Sequence, residues 1–519
     1  MIKAVRIVAA LAVVTGTTGV AAAGGLFVPG TGPQAQGRAG AFVAKADDPS
    51  ALFHNPAGFA KMDGWVVQIG VNFVDYDLTY SRAGVYEEPA NVDLPWAGQA
   101  YDPVEDESSP EIGVGGFQAV PLIAVSGDVG VDNLRIGFGV YAPQAFPNRD
   151  FAPDYEFEDP NTPPPAQRYD MMSTSASTVL PSVAVAYRLL ETLDVGARFS
   201  WGFGEVSAES YTWGIRNYEE WTARDGLFTV DVGDNFIPAF GFGAIFRATD
   251  NIEIGAAYAS QITFDGEGNG SARLGSDLGV GDDQEFIEPE NEFYNCAPGG
   301  VDQDNLKACL QLKLPRTASI GGRYILRDAA GAEKGDVEVD VKWEQWSAAS
   351  DVRVIVDGKS GLTGFQLQET VLRHGFQDTI SVRLGGSYNL ALAGNPLGVR
   401  AGFAYDTAAA PTEWQRADLD GAAKATAALG ASLTIGKIRL DVGGGYVFQP
   451  TREVPDCNPT VAMPNCPEGS EFTLPGDRNR PDPAQPLLDR NQQIQSPFNG
   501  GKYESSYLLL TLGATYYID

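Results

Sequence analysis

Two histidines, four cysteines and a scatter of arginines are the residues of this 519-residue chain best equipped for chemistry. Nucleophilic hydrolysis needs a serine or cysteine with a histidine beside it. His54 stands in a segment rich in Gly, Ala and Pro, and His374 in a polar stretch, so neither lies where a regular element would aim it at a nucleophile. The chain therefore reads as a protein without a catalytic site. Two histidines and four cysteines also leave little from which to build a zinc or haem centre, and no cofactor or metal is expected. The cysteines fall in pairs by position, Cys296 with Cys309 and Cys457 with Cys466. In an exported chain this spacing predicts two local disulfides. Nucleic acid is excluded as a partner, because 36 basic against 67 acidic residues give a net charge of −31 where phosphates require Lys and Arg.

The elements that must position these residues follow from periodicity. Met1 to Ala23 has the form of a secretory signal. Lys3 and Arg6 precede an apolar stretch from Ile7 to Val14, and Ala21-Ala22-Ala23 offers a small-residue cleavage site. No later run approaches the ~20 apolar residues of a membrane helix. From Gly64 to the end, apolar residues recur at every second position instead. Leu508, Leu510, Leu512, Ala514, Tyr516 and Ile518 share one face. Ile438, Leu440, Val442, Tyr446 and Phe448 share another, opposed by Arg439, Asp441 and Gly443. Such alternation is that of strands.

The polar faces carry charges and glycine, which a sandwich core would reject and a hydrated or plugged lumen accepts. Tight turns near Asp128–Asn133, Glu191–Leu193, Thr249–Asn251, Asp328–Gly335, Ala391–Asn395 and Gly436–Lys437 alternate with long polar loops. The loops span roughly 81–115, 148–175, 213–234, 266–313, 354–374, 407–420 and 454–503. Six turns and seven loops predict an all-β fold, a 14-stranded antiparallel transmembrane barrel over 64–519. Trp65, Tyr80, Trp201, Trp343, Trp346, Tyr446, Tyr507 and Tyr516 lie near strand ends, where interfacial aromatics belong.

Residues 24–63 do not alternate and form a small N-terminal hatch or plug. Arg135, Arg188, Arg198, Arg323, Arg383, Arg400 and Arg439 sit near the short-turn ends of their strands, with Glu253, Glu338, Asp340 and Asp441 at the same level. Charges at that depth must be paired or hydrated. They form either a ring holding a plug or a set of ion pairs within the wall. The acidic stretches 87–111 and 282–292 read as solvated loops, with divalent-cation bridging to lipopolysaccharide as the alternative. Trp96, Tyr101, Phe286, Phe293 and Tyr294 among them offer a landing site for an apolar ligand.

Gly37-Arg38-Ala39, Ala46-Asp47-Asp48 and Asn55-Pro56-Ala57, so soon after the signal, resemble the start of the FadL/TodX family of outer-membrane transporters. Leu314-Pro315 opening the eighth strand and Gly375-Phe376-Gln377-Asp378 before the tenth extend the resemblance. So do Gly402-Phe403-Ala404-Tyr405-Asp406 ending the eleventh strand and Val442-Gly443-Gly444-Gly445-Tyr446 within the thirteenth.

The resemblance implies a monomer in the outer membrane of a Gram-negative bacterium, among lipid and lipopolysaccharide. Its cargo would be hydrophobic small molecules, either fatty acids or aromatic hydrocarbons. Capture would occur at the outer loops and an apolar lumen pocket, with sideways release beside a kinked third strand. By the same resemblance Asn55, Pro56 and Ala57 contact that kink, for which Gly137, Gly139 and Pro143 supply the bend. Gly24, Leu26, Phe27 and Val28 would be the movable N-terminus. A general porin for polar solutes, or an adhesin, is the alternative. The plug-like segment and the absence of an arginine eyelet argue against the porin.

Overall fold

The computed structural model describes residues 31–86, 92–108, 113–114, 116–143, 148–159, 161–212, 221–278, 285–287, 305–361, 367, 370–454 and 500–518. Gly24, Leu26, Phe27 and Val28 lie outside these residues, as do the signal segment, Cys296, Cys457 and Cys466.

Fourteen strands form one closed antiparallel barrel. They are β1 (Trp65–Arg82), β2 (Phe117–Asp128), β3 (Leu134–Tyr141), β4 (Ser173–Leu190), β5 (Leu193–Thr212), β6 (Gly226–Thr249) and β7 (Ile252–Ala259 resumed as Ile262–Leu274). Next come β8 (Leu306–Leu314 resumed as Thr317–Arg327), β9 (Glu333–Glu344 resumed as Asp351–Asp357) and β10 (Thr370–Arg373 resumed as Thr379–Leu392). The last four are β11 (Asn395–Asp406), β12 (Lys424–Ile435), β13 (Ile438–Phe448) and β14 (Gly501–Ile518). Closure comes from β1 against β14, in register from Trp65 opposite Ile518 to Arg82 opposite Gly501. Apart from the edges beside the short β3, each strand is paired on both sides, as hydrocarbon demands.

All six tight turns fall where the alternation places them. Two of the loops, 213–234 and 266–313, are shorter than their composition implies. Stretches 226–234, 266–274 and 306–313 are strand, not loop. Cys309 is therefore on β8, and among the described residues no cysteine is free. Leu314-Pro315 marks a break within β8 rather than its start, and Gly375-Phe376-Gln377-Asp378 a break within β10.

A bilayer-spanning strand needs only about ten tilted residues, so β5 with 20 and β6 with 24 rise well beyond the membrane. Along β5 the outward face runs from Trp201 and Phe203, both exposed, to Glu205, Ser207 and Glu209. The inward face runs from Arg198 and Ser200 to Val206. Polarity thus inverts at the membrane surface. Below it the wall is oily outside and charged within. Above it the interior is an apolar core of Val206, Val230, Val232, Phe264, Leu310 and Val356.

Trp65, Trp201, Tyr446 and Tyr516 are exposed girdle residues, but Tyr80, Trp346 and Tyr507 point inward and are buried. Trp96 and Tyr101 are also buried, packed with Leu78, Tyr80 and Tyr86. They build the outer end and are not free to receive a ligand.

Strand β3 breaks the pattern. It has 8 residues and stops at Tyr141, two positions before Pro143, which can donate no ladder hydrogen bond. It pairs with β2 only from Leu122 to Asp128 and with β4 only from Leu180 to Tyr187. Above Tyr141 the facing edges of β2 and β4 lose their neighbour. Higher still the wall is patched by loop segments, with Arg149–Asp150 paired to Thr174 and Ser173, and Asp106 bridged to Phe151.

Candidate functional site: the occupied bore and its cavity

Residues 31–63 fold as short turns of helix, Pro33–Gln36, Ala51–His54 and Pro56–Lys61, and are almost wholly buried. Their polar contacts run to the inward charges of strands around the barrel. The Arg38 guanidinium lies 3.0 Å from both Asp336 and Glu338 of β9, all three side chains inaccessible to solvent. Its Nε donates to the Ala41 carbonyl.

The next residues give their backbone amides to the same strand. Phe42 and Val43 donate to Asp340 at 2.8 and 3.1 Å, and Ala44 to Glu338 at 2.6 Å. Asp48 accepts from Arg439 of β13 at 3.0 Å and from Gln34 and Gln68. Lys61 meets Glu253 of β7 at 2.7 Å. Carbonyls of Met62, Ala60 and Leu52 accept from Arg135, Arg188 and Arg198. Both readings of the charge ring hold in part: these residues grip the N-terminal segment, while Arg323 pairs with Glu253, Glu333 and Asp336 of the wall. Arg383 pairs with Asp406 of β11 and Arg400 with Asp441 of β13, within the wall.

Burial sets the charge states of the segment. His54 has its ring edge-on to those of Phe42 and Phe53 and shares a hydrogen bond with the Thr31 carbonyl at 2.7 Å. Burial pulls its pKa down to about 4, so the ring is neutral at physiological pH. Burial likewise lowers Lys61, against the opposing pull of Glu253. Burial would raise the Asp47 carboxyl, but Lys45 at 2.9 Å and Arg323 outweigh it and hold Asp47 well below the usual range.

Asn55, Pro56 and Ala57 come together, but not at the bend of β3. They seat on β5 and β6. The Asn55 amide donates to the carbonyls of Val43 (2.8 Å) and of Ala244 on β6 (3.2 Å), while its oxygen accepts from Ala57. This seat requires glycine. A Cβ on Gly196 would lie 2.5 Å from the Ala57 nitrogen, and one on Gly243 1.9 Å from the Asn55 oxygen. Gly137 and Gly139 do face the segment, through other residues. Their missing side chains make room for the Phe59 ring and for Leu52. The alternation identifies all four as inward strand positions; nothing in sequence alone says which hatch residue each receives.

Above the segment lies a cavity of about 90 Å³. Phe53, Tyr141, Pro143, Ala257, Ile262 and Pro315 give it apolar surface, and Arg198, Lys342, Arg383 and Asp340 bring charge to it. Arg198 and Arg383 are buried, and among the described residues the Nε of neither has an acceptor. Pro143, two residues past the end of β3, is thus part of the cavity wall.

The barrel thus has exposed aromatics on its outer face, a short third strand and a buried N-terminal segment. The family described as Outer membrane protein transport protein (OMPP1/FadL/TodX) matches residues 13–471. The chain belongs to this family. It is an outer-membrane protein of the Gram-negative type, in a family of transporters for hydrophobic compounds. Neisseria meningitidis protein NMB0088, named as an outer membrane protein, is 23% identical over 393 residues, covering 72% of this chain and 74% of its own.

Among solved structures, a Pseudomonas aeruginosa FadL homologue superposes with a TM-score of 0.65 at 18% identity, over 95% of this chain and 100% of that one. The toluene transporter TodX of P. putida gives 0.59 at 13% identity, over 94% and 99%. The toluene transporter TbuX of Ralstonia pickettii gives 0.58 at 12%, over 94% and 99%. At these identities the likeness is one of fold.

Proposed function

We propose that this FadL/TodX member admits hydrophobic molecules passively, holds them in the cavity above residues 31–63, and releases them sideways into the bilayer beside β3. The supporting observation is the position of the cavity. It lies between the buried N-terminal segment and the wall, and Tyr141 and Pro143, at the end of the truncated strand, line it. An apolar chain gains nothing from a water-filled pore, whereas each CH₂ it buries here contributes about 0.8 kcal/mol. Movement of the N-terminal segment would open the way from the cavity to the gap. Leu26 and Phe27, a few residues before it, would move with it. A general porin is disfavoured because residues 31–63 fill the bore that it would need open.

The cargo we infer is an amphipathic carboxylate, a fatty acid or an aromatic acid, in preference to a neutral hydrocarbon. Arg198 and Arg383 each bring to the cavity a buried N–H without an acceptor among the described residues, and Lys342 adds a third cation against the single carboxylate of Asp340; a carboxylate is the partner such donors favour. Uptake of labelled oleate and labelled toluene, by cells with and without the gene, tests this. Gene-dependent uptake of oleate above toluene is expected; uptake independent of the gene would overturn the function, and toluene above oleate the cargo.

The same reading includes cleavage after Ala23, a monomer among outer-membrane lipid and lipopolysaccharide, and disulfides Cys296–Cys309 and Cys457–Cys466. Thiol labelling of denatured, unreduced protein should then find no free cysteine.

A further inference from the structure

The loop between β11 and β12, residues 407–423, has the composition of a solvated connection but is not solvated. Ala409, Ala410, Trp414, Gln415, Arg416, Ala417, Asp418, Asp420 and Ala422 are each at most 5% exposed. The loop runs from one wall of the barrel to the other. At one end Ala409 and Ala410 pack with Leu314 of β8, Trp346 and Phe376. At the other, Ala417 packs with Leu78 and Tyr80 of β1, Phe151 and Tyr503 of β14. In a ring of fourteen, β1 and β8 are opposite one another.

Polar anchors fix the crossing. Arg416 pairs with Asp170 of the β3–β4 loop at 2.5 Å, and Asp170 also accepts from the amides of Ala417 and Asp418. His374 shares a hydrogen bond with Asp418 at 2.8 Å. Asp420 accepts from Tyr76 of β1 at 3.2 Å and from Ser505 of β14 at 2.9 Å. Arg452 donates to the Ala410 carbonyl. These ion pairs and hydrogen bonds tie the loop to both walls, and buried polar contacts of this kind stiffen the segment that makes them.

We infer that residues 407–423 are a second closure of the bore, on its outer side and in series with the N-terminal segment. Ile262 joins the two levels, lining the cavity above residues 31–63 and packing on the Leu314–Trp346–Ala410 cluster. The bore conducts only when both segments are displaced, and a ligand descending along the axis must first displace the loop.

Two measurements on the full chain test this, with heat-modifiable gel mobility confirming that each barrel is folded. In the first, Phe53→Cys in the cavity wall is exposed to a membrane-impermeant maleimide added outside intact cells. It should resist labelling while the loop is native and react once residues 409–420 are replaced by a Gly-Ser linker. Should that replacement not fold, the paired substitution Arg416→Gln and Asp420→Asn serves instead. Equal labelling with and without the native loop overturns the inference. This arm needs no assumption about cargo.

The second measurement is planar-bilayer conductance, which rests on the plug reading of residues 31–63. Arg38→Ala alone should leave the current small, and combining it with the loop replacement should raise it about tenfold, toward that of an unplugged barrel. A large current from Arg38→Ala alone would overturn the series arrangement.

Discussion

At bilayer height the barrel is oily outside and charged inside, while a few residues further along the same strands it is charged outside and oily inside. β5 carries both halves, with Phe203 outside and Arg198 inside below, and Glu205 outside and Val206 inside above. The difference is one of solvent, not of secondary structure. Lipid selects apolar side chains for the outer face and leaves the interior to polar contacts with the N-terminal segment. Water reverses the choice, and the outer extension closes over its own apolar core. The two interiors therefore fail differently, one through unpaired charge and the other through lost packing.

The largest effect is expected where a buried charge loses its partner. Arg38→Ala leaves Glu338 buried with only backbone donors, and breaking such a pair costs about 3–5 kcal/mol. Hydrogen exchange of residues 31–63 should accelerate accordingly while the barrel amides keep their protection. In the outer interior the corresponding change is Leu310→Ala, which removes packing from the apolar core at about 2–5 kcal/mol. Its exchange signature should be confined to the tops of β6, β7, β8 and β9.

The outward faces sharpen the contrast. Phe240→Lys places a charge in lipid at about 2–4 kcal/mol, whereas Glu205→Lys, on water-exposed surface, should fall within about 0.5 kcal/mol. Refolding titrations of the two variants in lipid vesicles give the comparison. A smaller effect separates an inward glycine from an outward one. Gly196→Ala pushes the Asn55-Pro56-Ala57 turn off its seat, an overpacking of about 1–3 kcal/mol. Gly322→Ala, with nothing within 4 Å of its added carbon, should be silent.

The smallest is a pH effect on one interior only. His54 is depressed to about 4 in its docked state, below the ordinary value of about 6.5. The undocked form therefore takes up the proton first. Docking is at full strength above pH 6.5 and weakens as pH falls toward 4. Exchange of residues 31–63 should report this dependence, and His54→Asn should remove it.

Much of this was legible in sequence, because lipid-facing alternation is a repeated and strict signal. All fourteen strands and six short turns follow from it. The outer halves were harder to read. On β7 the inward positions Gly266, Gly268 and Gly270 interrupt the apolar face, while Asp265, Glu267 and Asn269 face out, so the stretch has the composition of a loop. Residues 407–423 were hidden for a related reason. Arg416, Asp418 and Asp420 are the residues of a solvated loop and equally of a buried network, and composition cannot tell water from a partner as distant in the chain as Tyr76 is from Asp420. The seat of Asn55-Pro56-Ala57 on β5 and β6 likewise depends on contacts far apart in the chain.

The central claim, that hydrophobic cargo passes only when residues 31–63 move, is tested most directly by tying them to the wall. A Cβ on Gly385 of β10 would lie 2.8 Å from that of Ala41, close enough for a disulfide after about 1 Å of relaxation. Oleate uptake by the Ala41→Cys/Gly385→Cys protein should be lost on oxidation and restored by reductant, with the native protein as control. Uptake that continues undiminished with the cross-link formed would contradict the account.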